Sequence, residues 1–415
     1  MLSIAVIGSG ISGLMCAYRL RQAFDVEVFE ARASAGGHTR TEEITVEGRT
    51  YPVDVGFIVY NEKNYPNFTR LLSELEVPTR PTEMSFSVSC ARTGLEYNGH
   101  TLQTLFAQRR NLLRPSFYRL LREIIRFNRF AKRYLRSGDP GLSVEEMLRQ
   151  GGFSDDLGRL YLLPMGAAIW SASRDGLRDF PAVFFLRFLH NHGLLDLWGR
   201  PRWRTVVGGS RTYVDRLLEL LPGRVHRASP VRALGRDAEG VEVVLGSGKK
   251  RRFDKVIIAT HSDQALALLE TPTASEEEIL SALRYQDNEV VLHTDISCLP
   301  RERRAWASWN YCLSPDPKRK VAVTYNMNIL QGLEGPQTFC VTLNPERVID
   351  PEKVLRRLSF AHPQYSLKSE AARRRRGEIN GENHTFFCGA YWGAGFHEDG
   401  VVSALDVCRL LEEGP

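Results

Sequence analysis

Long hydrophobic runs are missing from this 415-residue chain. No stretch approaches the roughly 18–20 apolar residues that a membrane-spanning helix needs. The N-terminal Met1-Leu2-Ser3-Ile4 has no basic segment before it, and Gly8 and Gly10 break the apolar run at once, so no signal peptide is expected. Paired cysteines are missing too. The seven, at 16, 90, 298, 312, 340, 388 and 408, are far apart with no C-x-x-C, which excludes a zinc ribbon or disulfide framework and predicts reduced thiols in a cytoplasmic protein. Repeats of 20–50 residues and low-complexity segments are absent, and 43% hydrophobic with 10% aromatic residues is too apolar for a disordered chain. The length suggests two or three domains.

Acidic residues are scarce in one place. Residues 109–136 hold ten Arg/Lys and one acid, a net +9, so the rest of this +6 chain carries −3. Within that segment Phe117, Leu120, Leu121, Ile124 and Ala131 recur at helical spacing, as do Phe127, Phe130 and Tyr134, with arginines on the faces between. A basic amphipathic helix with aromatics suits an anionic membrane surface; a core-packed helix with solvated arginines is the alternative. Nucleic acid is not expected as a partner, because the remaining chain is net acidic and has no recognisable binding module.

The pattern along the chain predicts a strand over 3–7, a helix over 11–22 and a strand over 26–30, a β-α-β unit. Helical spacing marks 67–75, 102–160 and 181–192, with loops at Gly138-Asp139-Pro140-Gly141 and Gly151-Gly152, and a helix from Ser210, its expected N-cap, to Leu221. Strands are expected within 224–260 and at 289–296, 320–327 and 338–343. A strand-turn-helix covers Thr385 to Leu411.

Between the first strand and helix stands Gly8-Ser9-Gly10-Ile11-Ser12-Gly13. Gly8 suits the tight turn, Gly10 lets backbone approach a pyrophosphate, and Gly13 lets helix pack on strand, while the helix N-terminus offers amide donors. Glu30, twenty residues past Gly10, ends the second strand where a carboxylate meets ribose hydroxyls. These residues point to a dinucleotide.

The run onward, Ala31-Arg32-Ala33-Ser34-Ala35-Gly36-Gly37-His38-Thr39-Arg40, resembles the amine-oxidase-like flavoproteins, which follow this acid with a Gly-Gly-Arg element around the FAD pyrophosphate. His38 stands where that family has arginine, and Arg40 is the nearest replacement cation. Asp54-Val55-Gly56-Phe57 is similar to the family's Asp-x-Gly segment beneath the flavin. Val231 matches the valine whose backbone reaches the adenine side, and 254–260, ending in Thr260, matches the strand that returns to the cofactor. His261 follows where the family has proline. Gly389, and the turn through Glu398, Asp399, Gly400 and Val401 into the last helix, match the element that aims a helix N-terminus at the flavin N1–C2 edge, where negative charge develops.

The resemblance spans essentially the whole chain and implies an α/β fold: a Rossmann-like FAD-binding domain from 1–60, 210–275 and 380–415, with an inserted α+β substrate domain from 61–209 and 276–379. Asn191-His192-Gly193, Trp203 through Ser210 and Gly395 through Gly400 look like a narrower subgroup, related to the N-terminal domain of plant cyclopropane fatty acid synthases. That implies an FAD-dependent oxidoreductase removing hydrogens from an unsaturated or methylated fatty acyl lipid by hydride transfer to flavin N5. An amine substrate, or an FAD-binding accessory partner of a lipid methyltransferase, are the alternatives. His192 and His397 are candidate bases and Tyr391 a candidate pocket residue. Lysines are few, and neither Lys318 nor Lys320 aligns with the lysine that amine oxidases place near N5. His397-Glu398-Asp399 lacks a spaced fourth ligand, and His190 and His192 point to different helix faces, so no metal is expected.

Overall fold

The computed structural model describes residues 1–170, 174–196, 199–313, 322–345 and 348–413. Trp198, Lys318 and Lys320 lie outside the described residues. The apolar, β-branched run Ser3–Ile7 forms the middle strand of a five-stranded parallel sheet. Its order is Val225–His226, Asp25–Phe29, Ser3–Ile7, Lys255–Ile258, Thr385–Phe387, with Ile4 beside Val26 and Lys255. Because both faces are covered, Ser3–Ile7, Lys255–Ile258 and Thr385–Phe387 are almost continuously apolar, whereas the more outlying Asp25–Phe29 alternates.

One face is covered by helices Ile11–Leu20 and His397–Glu413, whose backbones come very close. Ser12 Oγ donates to the Gly400 carbonyl at 3.0 Å, and a Cβ at Gly400 would stand 2.9 Å from Ile11 Cγ2. Cys16 Sγ lies 3.9 Å from Cys388 Sγ beneath them, both free thiols. The other face is covered by the antiparallel strands Val231–Asp237, Gly240–Leu245 and Lys250–Phe253, where Leu234, Val243 and Phe253 pack on Ala5, Ile7 and Ile258.

The second body is a seven-stranded sheet ordered Val354–Pro363, Tyr285–His293, Cys340–Leu343, Ala322–Asn326, Trp309–Leu313, Phe86–Cys90, Leu95–Asn98. Helices Pro115–Ser137, Val144–Gln150, Leu163–Trp170 and Ala182–Asn191 share its apolar core. The helices within 102–160 end where the glycine loops were expected, at Gly138 and Gly151, and a further break precedes Pro115. Val354–Pro363 departs from expectation altogether. With arginines at 356 and 357 it has no clean apolar alternation, and it becomes a strand by pairing along Tyr285–His293.

Candidate functional site

The turn after the first strand works by close approach. Gly8 has φ +102°, and a Cβ on Gly13 would sit 1.9 Å from the Gly8 carbonyl oxygen. Helix Ile11–Leu20 then starts at Gly10 with no side chain capping it and no acid in its first turn. A Cβ at Gly10 would meet nothing within 4 Å, so the helix N-terminus faces open space. Uncapped amides and the positive end of the helix dipole make an anion site there.

Glu30 is buried beside this turn. Its carboxylate accepts from Ser9 N at 3.0 Å, from Ser9 Oγ, and from Arg32 N at 2.9 Å. Ala31 and Arg32 are exposed at the rim. Ser229 N donates to the Glu30 carbonyl and Ala228 N to that of Arg32, both at 2.8 Å, which brings Val231 alongside. Thr260 Cγ2 lies against the Gly8 position. The Gly-Gly turn folds over the first motif: Gly36 N donates to the Ser9 carbonyl at 3.0 Å, and a Cβ on Gly37 would stand 3.0 Å from Gly10 Cα.

His38 does not point at a free anion. Its Nε2 is 3.0 Å from the Ala361 carbonyl oxygen, which can only accept, so that nitrogen carries the proton. Its ring lies 5.7 Å from His261 and 5.6 Å from His362, with His261 stacked on Tyr285 at 4.1 Å. Burial holds all three imidazoles neutral, pushing His261 and His362 down to about 3. Arg40, the expected replacement cation, pairs instead with Glu42 at 2.6 Å. His362 and Tyr285 join this cluster only through the pairing of Val354–Pro363 with Tyr285–His293, which no local pattern announces.

Asp54, fully buried, ties three distant segments together. It accepts from Thr41 Oγ1 at 2.6 Å, Ser210 N at 2.9 Å, Ser210 Oγ at 2.8 Å and Gln331 Nε2 at 3.0 Å. Burial raises its carboxyl to about 7, against the pull of those donors. Ser210 sits where an N-cap belongs, yet its side chain serves Asp54 and makes no cap bond to helix Arg211–Glu219. Two residues on, a Cβ at Gly56 would be 2.0 Å from the His38 carbonyl oxygen. Phe57 then stacks on His397.

His397 opens the last helix and is buried, with Nε2 2.7 Å from the Tyr213 hydroxyl, which also meets Thr39 Oγ1. Burial pushes its imidazole down to about 3, so it packs as a neutral ring. Glu398 turns away from the sheet. Its two oxygens accept from Asn67 N, Asn67 Nδ2 and Phe68 N at 2.7–3.0 Å, capping helix Pro66–Glu74. Asp399 accepts from Phe396 N at 2.8 Å and is raised to about 6 by burial. Gly389 N donates to Ser403 Oγ at 2.8 Å, and Val401 is fully buried. Tyr391 is also fully buried, beside Trp392 and Tyr285, in the core on the strand side of the sheet.

Rings that the local pattern leaves ambiguous gather beyond the Gly393–Phe396 turn. Phe396 stacks on Phe188 at 4.7 Å, and Phe188 stacks on His192 at 3.8 Å and tilts against Trp170 at 4.8 Å. Phe184 stacks on Tyr365 at 4.8 Å, with the Arg373 guanidinium over both rings. The i, i+4 spacing of Phe180, Phe184 and Phe188 was a readable signal for this wall; Tyr365 gave none. His192 Nδ1 is 3.0 Å from the Phe188 carbonyl oxygen, so Nδ1 is the protonated nitrogen and Nε2 keeps its lone pair. Its imidazole is pushed down to about 4 by burial. The Tyr365 hydroxyl, buried, has no hydrogen-bond partner among the described residues.

An open helix N-terminus, a buried acid at the end of the neighbouring strand and a second helix N-terminus aimed past Gly389 together fit a flavin dinucleotide. Fold and site thus define a dinucleotide-binding flavoprotein. The sequence profile described as "Flavin containing amine oxidoreductase" matches residues 11–292, and the chain belongs to that family of FAD-dependent oxidoreductases. Comparison with curated proteins finds no match. Among solved structures it is similar over its full length to putrescine oxidase bound to putrescine (TM-score 0.69, 15% identity, 100% and 99% of the two chains). It is likewise similar to cyclohexylamine oxidase from Brevibacterium oxydans (0.70, 15%, 99% and 99%) and to a CLA-producing fatty acid isomerase from P. acnes (0.69, 14%, 99% and 98%). At such identities the likeness is one of fold.

Proposed function

We propose that this oxidoreductase acts on an unsaturated or methylated fatty acyl chain, removing two hydrogens from adjacent carbons. The observation that carries this reading is the ring wall of Phe184, Phe188, Phe396 and Tyr365. It is apolar, and a cation, Arg373, already lies over the Phe184 and Tyr365 faces that would otherwise cage an ammonium. The likeness to a fatty acid isomerase supports it by analogy of fold only, and the resemblance of 191–195, 203–210 and 395–400 to the cyclopropane-synthase-associated proteins supports it from sequence.

When bound, FAD supplies the hydride acceptor. The chain's own residues orient and exclude water. Glu30 and the Gly8–Gly13 turn hold the dinucleotide, and the rings press the acyl chain against it. His192 Nε2, unprotonated at neutral pH, takes the proton that leaves with the hydride. The FAD-loaded protein should therefore be bleached anaerobically by unsaturated acyl phospholipids and not by putrescine or cyclohexylamine. Bleaching by the amines alone would establish the amine reading, and bleaching by neither would favour an accessory role.

A further inference from the structure

We propose that the outer face of helix Pro115–Ser137 and the turn before it form a docking surface for an anionic phospholipid bilayer. At about 100° per residue, Arg119, Arg122, Arg126, Arg129, Arg133 and Arg136 fall on one arc of roughly 120°. Tyr118 and Ile125, 46% and 40% exposed, lie on the same arc. The opposite arc carries Phe117, Leu120, Phe127, Ala131 and Tyr134, all buried in the substrate-side core. The core-packed and membrane-facing alternatives are therefore two sides of one helix.

The charge on the outer arc is uncompensated. Lys132 pairs with Asp196, and the single acid, Glu123, is occupied by Ser154. Arg126 is laid flat by the Gly151 carbonyl and the Phe153 ring. Arg119, Arg122, Arg129, Arg133 and Arg136 have no carboxylate partner among the described residues. At the N-terminal end of this face the turn Arg109–Leu113 projects Leu113, 88% exposed, and Leu112. The Tyr118 hydroxyl donates to the Leu112 carbonyl at 3.1 Å, which fastens the turn to the basic side of the helix.

A leucine pair projecting from a field of arginines is complementary to lipid headgroups over an acyl layer. A nucleic-acid backbone would take the charge and leave the leucines unused. No described helix is long and apolar enough to cross a membrane, so the helix would lie along the interface. Helix Ala182–Asn191, which carries Phe184 and Phe188, packs directly against it. Docking requires no particular substrate, so it stands or falls separately from the acyl-chain reading.

The test is flotation of the full-length, FAD-loaded protein with vesicles of phosphatidylcholine alone or mixed equally with phosphatidylglycerol. Wild type should float only with the anionic vesicles, and should be released as the Debye length shrinks from about 10 Å to 3 Å between 0.1 and 1 M salt. Each cation near such a surface multiplies partition about fivefold. Arg119→Gln, Arg122→Gln, Arg129→Gln and Arg133→Gln combined should therefore lower it at least ~100-fold with the flavin spectrum unchanged. Leu113→Ser should lower it about tenfold by removing a buried aliphatic contact. Failure to float at low salt, or flotation by the fourfold variant equal to wild type, overturns the proposal. So does equally tight binding to single-stranded nucleic acid that Leu113→Ser leaves unaffected.

Discussion

The His397 imidazole lies flat on the Phe57 ring, centroids 3.8 Å apart and planes 11° from parallel. This one contact joins the Asp54–Phe57 segment to the start of the last helix, and through Nε2 to Tyr213 and Thr39. Replacing His397 with alanine removes the stack and a buried hydrogen-bond partner, a loss of about 1–3 kcal/mol. Chemical denaturation of the FAD-loaded protein measures it, and an unchanged midpoint would show the stack to be incidental.

Gly10 and Gly13 should respond differently to the same methyl group. At Gly13 the Cβ would collide with the Gly8 carbonyl, so Gly13→Ala should disrupt the turn and abolish flavin binding. At Gly10 there is open space and a negative φ. Gly10→Ala should leave apoprotein stability within about 0.5 kcal/mol while weakening FAD at least tenfold (~1.4 kcal/mol). Equal affinity in Gly10→Ala would mean that no ligand backbone passes there.

The purified protein should be yellow and release FAD, not FMN, on denaturation. Glu30→Ala should weaken FAD by about 1.5–3 kcal/mol, the worth of charge-assisted bonds to hydroxyls. Isothermal titration of apoprotein with FAD reads this directly; tight NAD binding by colourless protein contradicts it.

Acid should unfold this protein steeply. His261, His362 and His397 sit near 3 and His192 near 4 in the folded chain, against about 6.5 when unfolded. A depressed histidine stabilises the fold above the unfolded value, and that contribution is lost as pH falls below it. Each costs up to about 1.4 kcal/mol per pH unit between roughly 6.5 and 4. The raised carboxyls of Asp54 and Asp399, which stabilise the fold as pH falls below about 7 and 6, offset about half of this. Melting temperature should be level above pH 7 and drop below 6, and His362→Gln should flatten the slope. A melting temperature that does not change down to pH 4.5 contradicts neutral, buried imidazoles.

Tyr391→Ala and Phe184→Ala should separate packing from lining. Tyr391 is enclosed in the sheet core, so its loss should cost about 3–5 kcal/mol of stability. Phe184 is half-buried in the ring wall, so its loss should slow flavin reduction by acyl lipid with FAD still bound. Stopped-flow reduction alongside thermal melts distinguishes them.

By itself the sequence determined the dinucleotide half of the molecule. Strand Ser3–Ile7, the glycines, helix Ile11–Leu20 and Glu30 are contiguous, and each requirement there is local: a turn, a helix N-terminus, a carboxylate one strand away. Only tertiary structure decided which side chains serve which partner. Glu398 and Arg40 looked available to a cofactor but are taken by helix Pro66–Glu74 and by Glu42. Ser210, in a capping position, is drawn to Asp54. His38, His261 and His362 are separated by more than 300 residues from first to last, and meet because Val354–Pro363 pairs with Tyr285–His293. A polar side chain takes its partner from whatever donor or acceptor shares its burial, and burial is set by packing between segments that no local pattern relates.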